Sequence, residues 1–211
     1  MWEINNNSGN LEKIFLFLHK IENLKSTLRY NETTSGRKES TADHSRRLAL
    51  MTFIIIDELK LDIDVNKSIK IALVHDLAES LTGDIDAIKI TEGTFSKEEK
   101  ERQEIEAIMN LKETLPEVIG NEISDLWHEY NNCETKEAKF IKALDKIETL
   151  TQLAEIGYKM YDKPEFIANY ANKAVKNFPE LIDMLKIVKK KLKNEFDKGN
   201  IERKKEYDSL D

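Results

Sequence analysis

Apolar positions in the first part of the chain recur at steps of three and four residues. This is the period of an α-helix that packs one face against a core. The pattern extends to about Thr27, so we expect the apolar face to be buried. That face comprises Leu11, Ile14, Phe15, Leu18, Ile21, Leu24 and Leu28. The polar segment Met1 to Asn10 before it predicts a flexible lead-in.

Capping signals divide much of the remaining chain into helices. Ser40 and Asp43 have the spacing of a capping box and predict a helix that continues to about Leu59. The strand-like run 51–56 lies inside this helical pattern, so we interpret it as the buried part of the helix. A further helix is predicted from the turn at 62–66 to about Ser80. Others are predicted at about 96–113, 117–131 and 135–159, and two more are separated by 177–179.

The segment from Arg29 to Glu39 is polar, contains Gly36 and has no apolar period. It therefore predicts a loop between two helices. Connections between helices usually have about 2 to 8 residues, and longer ones often carry function. The arginines in this segment, Arg29 and Arg37, are for this reason candidate functional residues.

The composition supports an all-α fold. The chain has only 7 Gly and 3 Pro, and charged residues make up 35% of it against 40% hydrophobic residues, which favours amphipathic helices. We predict one compact multi-helix domain over residues 11–197, followed by a charged and frayed C-terminus at 198–211. We see no internal repeat and no linker that would divide the chain.

The charge balance limits the possible partners and location. A net charge of -7 argues against binding to nucleic-acid polymers or anionic membranes, which need a basic surface. No apolar run approaches the roughly 20 residues that span a bilayer. The single cysteine, Cys133, excludes an intrachain disulfide, and no signal peptide is recognisable, so we expect a cytoplasmic protein.

Ionisable residues interrupt one otherwise apolar helical segment. His75, Asp76 and Glu79 lie within Ile71–Glu79, where burial of unpaired charge would cost several kcal/mol. On a regular helix, His75 and Glu79 share a face and Asp76 is displaced by about 100°. A metal ion or a strong partner would remove the cost of burial. The alternative is a buried hydrogen-bonded pair without a ligand.

Two further residues complete a candidate metal centre. His44 lies in the first turn of the preceding helix, which should pack against the helix of His75. Asp145 is bounded by core-type residues on the long helix, although it could instead be a surface acid paired with Lys142 or Lys146. Two imidazoles and two carboxylates suit a divalent ion such as Mn, Co, Fe, Ni or Zn. His19 and His128 lack a comparable cluster of acids and are interpreted as structural residues.

The order of His44, His75-Asp76 and Asp145 resembles the signature of the HD-domain phosphohydrolases. The surrounding sequence is similar to the subgroup of 5′-deoxynucleotidases over about Leu11 to Lys176. The segments that carry this resemblance are Arg37–Ser45, Ala72–Glu79, Thr82–Ile85 and Ala138–Phe140.

The resemblance implies one divalent ion, with Mg also among its possible identities, held by His44, His75, Asp76 and Asp145. It implies that an activated water attacks the phosphorus of a small-molecule nucleotide, a (deoxy)nucleoside 5′-monophosphate. Glu79 would assist proton transfer at the 5′-oxygen, and Asp84 would hold the sugar or orient the catalytic groups. Arg29 would neutralise the phosphate. A homodimer is implied in the same way.

Several alternatives remain open at this point. Arg37 could assist Arg29, or both arginines could be solvated loop charges. The substrate could be another phosphoester, such as a nucleoside triphosphate, an alarmone or a cyclic dinucleotide. A non-catalytic helical module that binds a nucleotide is a further alternative, although it would have no need for Glu79 and Asp84 beside a full set of ligands.

Overall fold

The computed structural model describes residues 6–85, 93–202 and 204. Its α-helices are α1 Asn6–Ile21, α2 Thr41–Leu59, α3 Val65–Val74, α4 Glu79–Thr82, α5 Lys97–Lys112, α6 Glu117–Asn132, α7 Lys136–Ile156, α8 Pro164–Asn169, α9 Asn172–Lys176 and α10 Ile182–Lys198. Short 3₁₀ helices occupy Glu22–Lys25, Tyr158–Met160 and Pro179–Leu181. Strands β1 Leu28–Glu32 and β2 Lys38–Ser40 form a small antiparallel sheet. The all-α prediction is confirmed, with this hairpin as an addition.

Helix α7 lies at the centre of the core. Its side chains Phe140, Leu144, Ile147 and Leu150 are all fully buried. Helices α2, α3, α6 and α10 pack around it. Because α7 is enclosed in this way, an acidic residue in its middle has no route to bulk solvent except through a cavity.

Side-chain caps place the helix starts where the sequence predicts them. Ser40 and Asp43 form the predicted reciprocal capping box at the start of α2. Ser96 accepts a hydrogen bond from the backbone N–H of Glu99 at the start of α5, and Thr135 caps α7 in the same manner. The run 51–56 lies within α2, as predicted, but the prediction that it is the buried part of the helix is wrong for Phe53 and Ile54, which are 44% and 51% exposed.

The predicted loop between Arg29 and Glu39 is wrong, because much of this segment forms the β1–β2 hairpin. Leu28 pairs with Ser40 and Glu32 with Lys38, with an irregular register between them. Gly36 takes a φ of 84° in the turn. Only Asn31 of β1 is buried, so the strand has no alternation of apolar residues that would reveal it.

The helix predicted to reach Ser80 is interrupted. Helix α3 ends at Val74, and α4 begins at Glu79. Between them the backbone makes i to i−3 hydrogen bonds, including Leu77 N–H to the Val74 carbonyl at 3.1 Å. This tighter turn rotates successive side chains by about 120° instead of about 100°, so the regular-helix geometry assumed for His75 and Glu79 was wrong. Gly83 ends α4 with a φ of 74°, which agrees with the predicted turn.

The N-terminal predictions are also corrected. The helix begins within the predicted lead-in, at Asn6, and ends at Ile21, with a 3₁₀ turn after it. Its apolar face is not buried as expected: Leu11 is 56% exposed and Phe15 is 70% exposed. Helix α1 packs mainly on the following 3₁₀ turn and on α4, so only one edge of its apolar surface meets the core.

The C-terminal part is more divided than predicted. Helix α7 ends at Ile156, because Gly157 takes a φ of 85°. The first of the two predicted later helices is split into α8 and α9. The second corresponds to α10, which ends at Lys198. The frayed tail stays a prediction, since most of it lies outside the described residues.

Among the helices that the structure describes, none is long and apolar enough to cross a membrane.

Candidate metal centre

The fold brings His44, His75 and Asp76 into one cluster from two parts of the chain, and it places Asp145, from a third part, beside this cluster in contact with His44. His44 lies in the first turn of α2, His75 and Asp76 lie in the turn after α3, and Asp145 lies in the middle of α7. His44 Nε2 is 3.2 Å from Asp145 Oδ1 and 3.9 Å from Asp76 Oδ2. His75 Nε2 is 2.9 Å from Asp76 Oδ2. Donor atoms of His44, His75 and Asp76 all lie within 4.8 Å of one another, which is compatible with one shared cation.

The two imidazoles each have a buried nitrogen without a hydrogen-bond partner. His44 Nε2 and His75 Nε2 are inaccessible to solvent, and although each lies within 3.2 Å of a carboxylate oxygen, neither makes a hydrogen bond of acceptable geometry to any described residue. An unsatisfied buried polar atom costs about 1–3 kcal/mol, so native proteins rarely retain one without a reason. A cation between the two nitrogens and the carboxylates would satisfy both atoms. The residues present therefore fit a divalent metal ion.

The hydrogen bonds of the two Nδ1 atoms orient the imidazole rings so that the Nε2 atoms face the cluster. His44 Nδ1 lies 2.5 Å from Glu148 Oε2, and His75 Nδ1 lies 2.9 Å from the Ala72 carbonyl oxygen. Since a carbonyl and a carboxylate can only accept, both Nδ1 atoms carry the proton in neutral imidazoles. Each Nε2 then presents a lone pair to the cluster, which is the state that a metal ligand needs.

Glu148 is a buried neighbour of the cluster that the sequence analysis missed. It is fully buried on α7 and also accepts a hydrogen bond from Arg47 Nε at 2.6 Å. It lies three residues after Asp145, one helical turn along the same face. An acid that lies between the core residues Ile147 and Leu150 and follows Asp145 by three residues is a sequence signal of a buried position beside the cluster.

The cluster has strongly perturbed ionisation. Burial lowers the pKa of His44, but the carboxylates of Glu148 and Asp145 outweigh this and raise it to about 10. Burial would raise the pKa of Asp76, yet His75 and Arg29 hold it well below the usual range. A bound divalent ion would favour the neutral imidazole of His44 instead, because a metal ligand must give up the proton on the coordinating nitrogen.

Asp145 is oriented by Tyr130 on α6 and by Lys146, its neighbour on α7. The Tyr130 hydroxyl donates to Asp145 Oδ2 at 2.8 Å, and Lys146 Nζ lies 3.1 Å from the same oxygen. The other oxygen, Oδ1, faces His44. Because Asp145 is only 3% exposed, its interpretation as a surface acid is excluded, although the pairing with Lys146 exists.

The two predicted catalytic acids lie beside this cluster. Glu79 begins α4, is 4% exposed and accepts a hydrogen bond from Thr41 Oγ1 at 2.8 Å. Burial, together with the charges of Asp76 and Asp84, raises the pKa of Glu79 well above its usual value. These surroundings favour the protonated form of the carboxyl group. Asp84 lines the same cavity just after α4.

The two candidate arginines have different surroundings. Arg29, on β1, places Nη1 3.2 Å from Asp76 Oδ2 and Nε 3.6 Å from Glu39 Oε2, and it lines the cavity. Arg37 is 59% exposed, pairs with Asp43 at 2.7 Å and does not line the cavity. The structure therefore brings Arg29 to the cluster and leaves Arg37 on the surface.

A cavity of about 570 Å³ opens over the cluster. This volume is in the range of small-molecule binding sites. Its walls include cationic residues that the sequence analysis did not assign to a binding site, namely Lys97, Lys100, Lys142 and Lys146. His128 also lines it, and its ring packs on Trp127 with centroids 5.0 Å apart, consistent with the predicted packing role.

Comparison with known proteins agrees with this site. A family model described as HD domain matches residues 21–186, and the chain belongs to this family. It is 35% identical to 5′-deoxynucleotidase HDDC2 of Homo sapiens over 152 residues, covering 71% of this chain and 70% of that protein. It is 39% identical to 5′-deoxynucleotidase HDDC2 of Dictyostelium discoideum, covering 70% of this chain and 77% of that protein.

Two solved structures share the fold. A predicted metal-dependent phosphohydrolase from Magnetospirillum magnetotacticum MS-1 has a TM-score of 0.75 and covers 92% of this chain and 100% of its own, at 23% identity. The HD domain-containing protein YGK1 has a TM-score of 0.58 at 28% identity, covering 86% of this chain and 88% of its own.

Proposed function

We propose that this protein is a metal-dependent 5′-deoxynucleotidase, which hydrolyses (deoxy)nucleoside 5′-monophosphates to nucleoside and phosphate. The chain is a hydrolase of the HD family, and its relatives HDDC2 carry the name 5′-deoxynucleotidase. The observation that carries the proposal is the pair of unsatisfied, buried Nε2 atoms that face two carboxylates beneath an open cavity.

We infer that His44, His75, Asp76 and Asp145 hold one divalent ion, with Mn, Co, Fe, Ni, Zn and Mg as its possible identities. When bound, such an ion supplies a water of lowered pKa and polarises a phosphoryl oxygen. Glu148 orients His44, and Tyr130 orients Asp145, so that the donor atoms are held in place before the ion binds.

The remaining residues of the site have roles in binding the substrate and moving a proton. Arg29 is positioned to neutralise phosphate charge, because its guanidinium reaches the cluster from β1. Glu79 can hold a proton in its buried carboxyl group and donate it to the departing 5′-oxygen of the sugar. Asp84, on the cavity wall, can accept a hydrogen bond from a sugar hydroxyl.

A substrate panel tests the proposed reaction. With Mn or Co present, we expect phosphate release from deoxynucleoside 5′-monophosphates to exceed that from nucleoside triphosphates, a guanosine alarmone and cyclic dinucleotides. Colorimetric phosphate detection and chromatography of the nucleoside product measure this directly. A preference for any of the other phosphoesters would assign a different HD phosphohydrolase activity. Nucleotide binding without turnover under every divalent ion would instead indicate a binding module.

We further propose a homodimer that uses the exposed face of α1. Leu11, Phe15 and Leu18 on this helix are each 47% to 70% exposed, and such a contiguous apolar surface is typical of an interface. Light scattering should give twice the mass of one chain. Phe15→Glu should halve that mass, whereas Lys13→Glu on the same helix should not. A monomeric wild-type protein would contradict the proposed homodimer.

The cytoplasmic location stays a prediction, which cell fractionation would test.

A further inference from the structure

Lys142 is a cation on the wall of the cavity without a carboxylate partner among the described residues. Three other cations that line this cavity are paired with carboxylates. Arg29 pairs with Asp76 at 3.2 Å, Lys100 with Glu104 at 3.4 Å, and Lys146 with Asp145 at 3.1 Å. A partly buried ammonium group without a counter-charge is unfavourable unless a ligand supplies one.

We propose that Lys142 is a phosphate-binding residue, which acts with Arg29 on the phosphate group of the substrate. This inference rests on the proposed function, because it assumes that the cavity accepts a phosphate monoester. The substrate would supply the ion-pair partner that no carboxylate of the described residues provides for Lys142. A primary ammonium group is well suited to this role, since it can donate three hydrogen bonds.

The position of Lys142 relative to the metal cluster supports this role. Lys142 precedes Asp145 by three residues on α7, which places both side chains on one face of the helix. Its Nζ lies 3.8 Å from the centroid of the Tyr130 ring, and the hydroxyl of the same tyrosine donates to Asp145 Oδ2. Tyr130 therefore holds the ammonium group and a candidate metal ligand at the same time.

The electrostatic surroundings of Lys142 favour the binding of an anion. Burial, followed by repulsion from Lys146, lowers the pKa of Lys142 to about 8. The titratable groups around it are Lys146 and Asp145 on its own helix, Tyr130 and Cys133 at the end of α6, Asp76 after α3, and Glu104 on α5. A bound phosphate dianion would favour the charged form of Lys142. Phosphate affinity should consequently fall as the pH rises through about 8.

Calorimetric titration of the Mn-loaded protein with inorganic phosphate tests the proposal. At about pH 7, Lys142→Met should weaken phosphate binding by about 10- to 100-fold, the size of a lost charge-assisted hydrogen bond. Lys142→Arg should bind nearly as tightly as the wild type. Lys136→Met, an exposed position on the same helix, should have no effect. Metal content, measured in parallel, should be unchanged in all three variants.

A pH series separates phosphate binding from a purely structural cation–π contact. Phosphate affinity of the wild type should decline above about pH 8, while Lys142→Arg should retain it, because an arginine stays charged. Wild-type affinity that is flat across this range would overturn the proposal, as would undiminished phosphate binding by Lys142→Met. The wild-type series and Lys142→Arg keep the test decisive even if Lys142→Met fails to fold.

The test is independent of the outcome for the proposed function. Phosphate binding is measured at equilibrium, so it does not require turnover of any nucleotide. If deoxynucleotides are not hydrolysed but Lys142→Met still weakens phosphate binding, only the proposed function fails. If deoxynucleotides are hydrolysed and Lys142→Met binds phosphate and substrate as the wild type does, only the role of Lys142 fails.

Discussion

Removal of the divalent ion by a chelator abolishes phosphate release from deoxynucleotides, and addition of Mn or Co restores it. His75→Ala should have the same effect without a chelator, because it deletes one of the two buried nitrogen donors. We expect the rate to fall on the order of 10³-fold or more, since the ion contributes several kcal/mol of transition-state stabilisation. Metal analysis of the purified variant should show a matching loss of bound ion.

His19→Ala is the matched control for this experiment. His19 is exposed on α1, away from the cluster, so its removal should leave metal content and activity unchanged. Activity that is indifferent both to the chelator and to His75→Ala would refute the proposed metal centre.

Replacement of Glu79 by Gln slows turnover by about 10²- to 10⁴-fold, the usual contribution of a general acid or base. The bound metal should remain, because the amide retains the size of the carboxyl group and can still accept the hydrogen bond from Thr41. The raised pKa of Glu79 also predicts a pH dependence of turnover. If Glu79 donates a proton, the turnover rate of the wild type should decline as the pH rises through the pKa of Glu79. This decline should be absent in the variant.

Glu98→Gln is the matched control for Glu79→Gln, because Glu98 is an exposed acid in the first turn of α5. It should retain full activity. A Glu79→Gln enzyme with wild-type turnover and the same pH profile would exclude a role for Glu79 in proton transfer. Loss of metal from that variant would instead assign Glu79 to the support of the ion.

Much of the site was predictable because its signals are local. His75 and Asp76 interrupt an apolar run, and burial of two ionisable groups requires a compensating partner wherever the segment folds. His44 follows a capping box, whose hydrogen bonds depend only on residues three positions apart. The assignment of Asp145 depended on the resemblance to a family, since a single acid between lysines is compatible with a surface position.

The backbone of the site was less predictable. Strand β1, which carries Arg29, is polar and short. Its stability therefore depends on pairing with β2 and on contact with α7, and not on an apolar pattern in its own sequence. The tightened turn at His75 also escaped prediction. Helical periods of 3.0 and 3.6 residues produce nearly the same apolar pattern over a single turn.

The sequence by itself determined the helical class, the helix starts at Ser40, Ser96 and Thr135, and the presence of buried ionisable groups around His75. These depend on contacts between residues close in the chain, whose energies do not require a partner element. Only the tertiary structure decided that Arg29, and not Arg37, reaches the cluster, that Glu148 orients His44, and that no carboxylate of the described residues forms an ion pair with Lys142. These relations join residues on different elements or depend on what surrounds a side chain, so packing alone sets them.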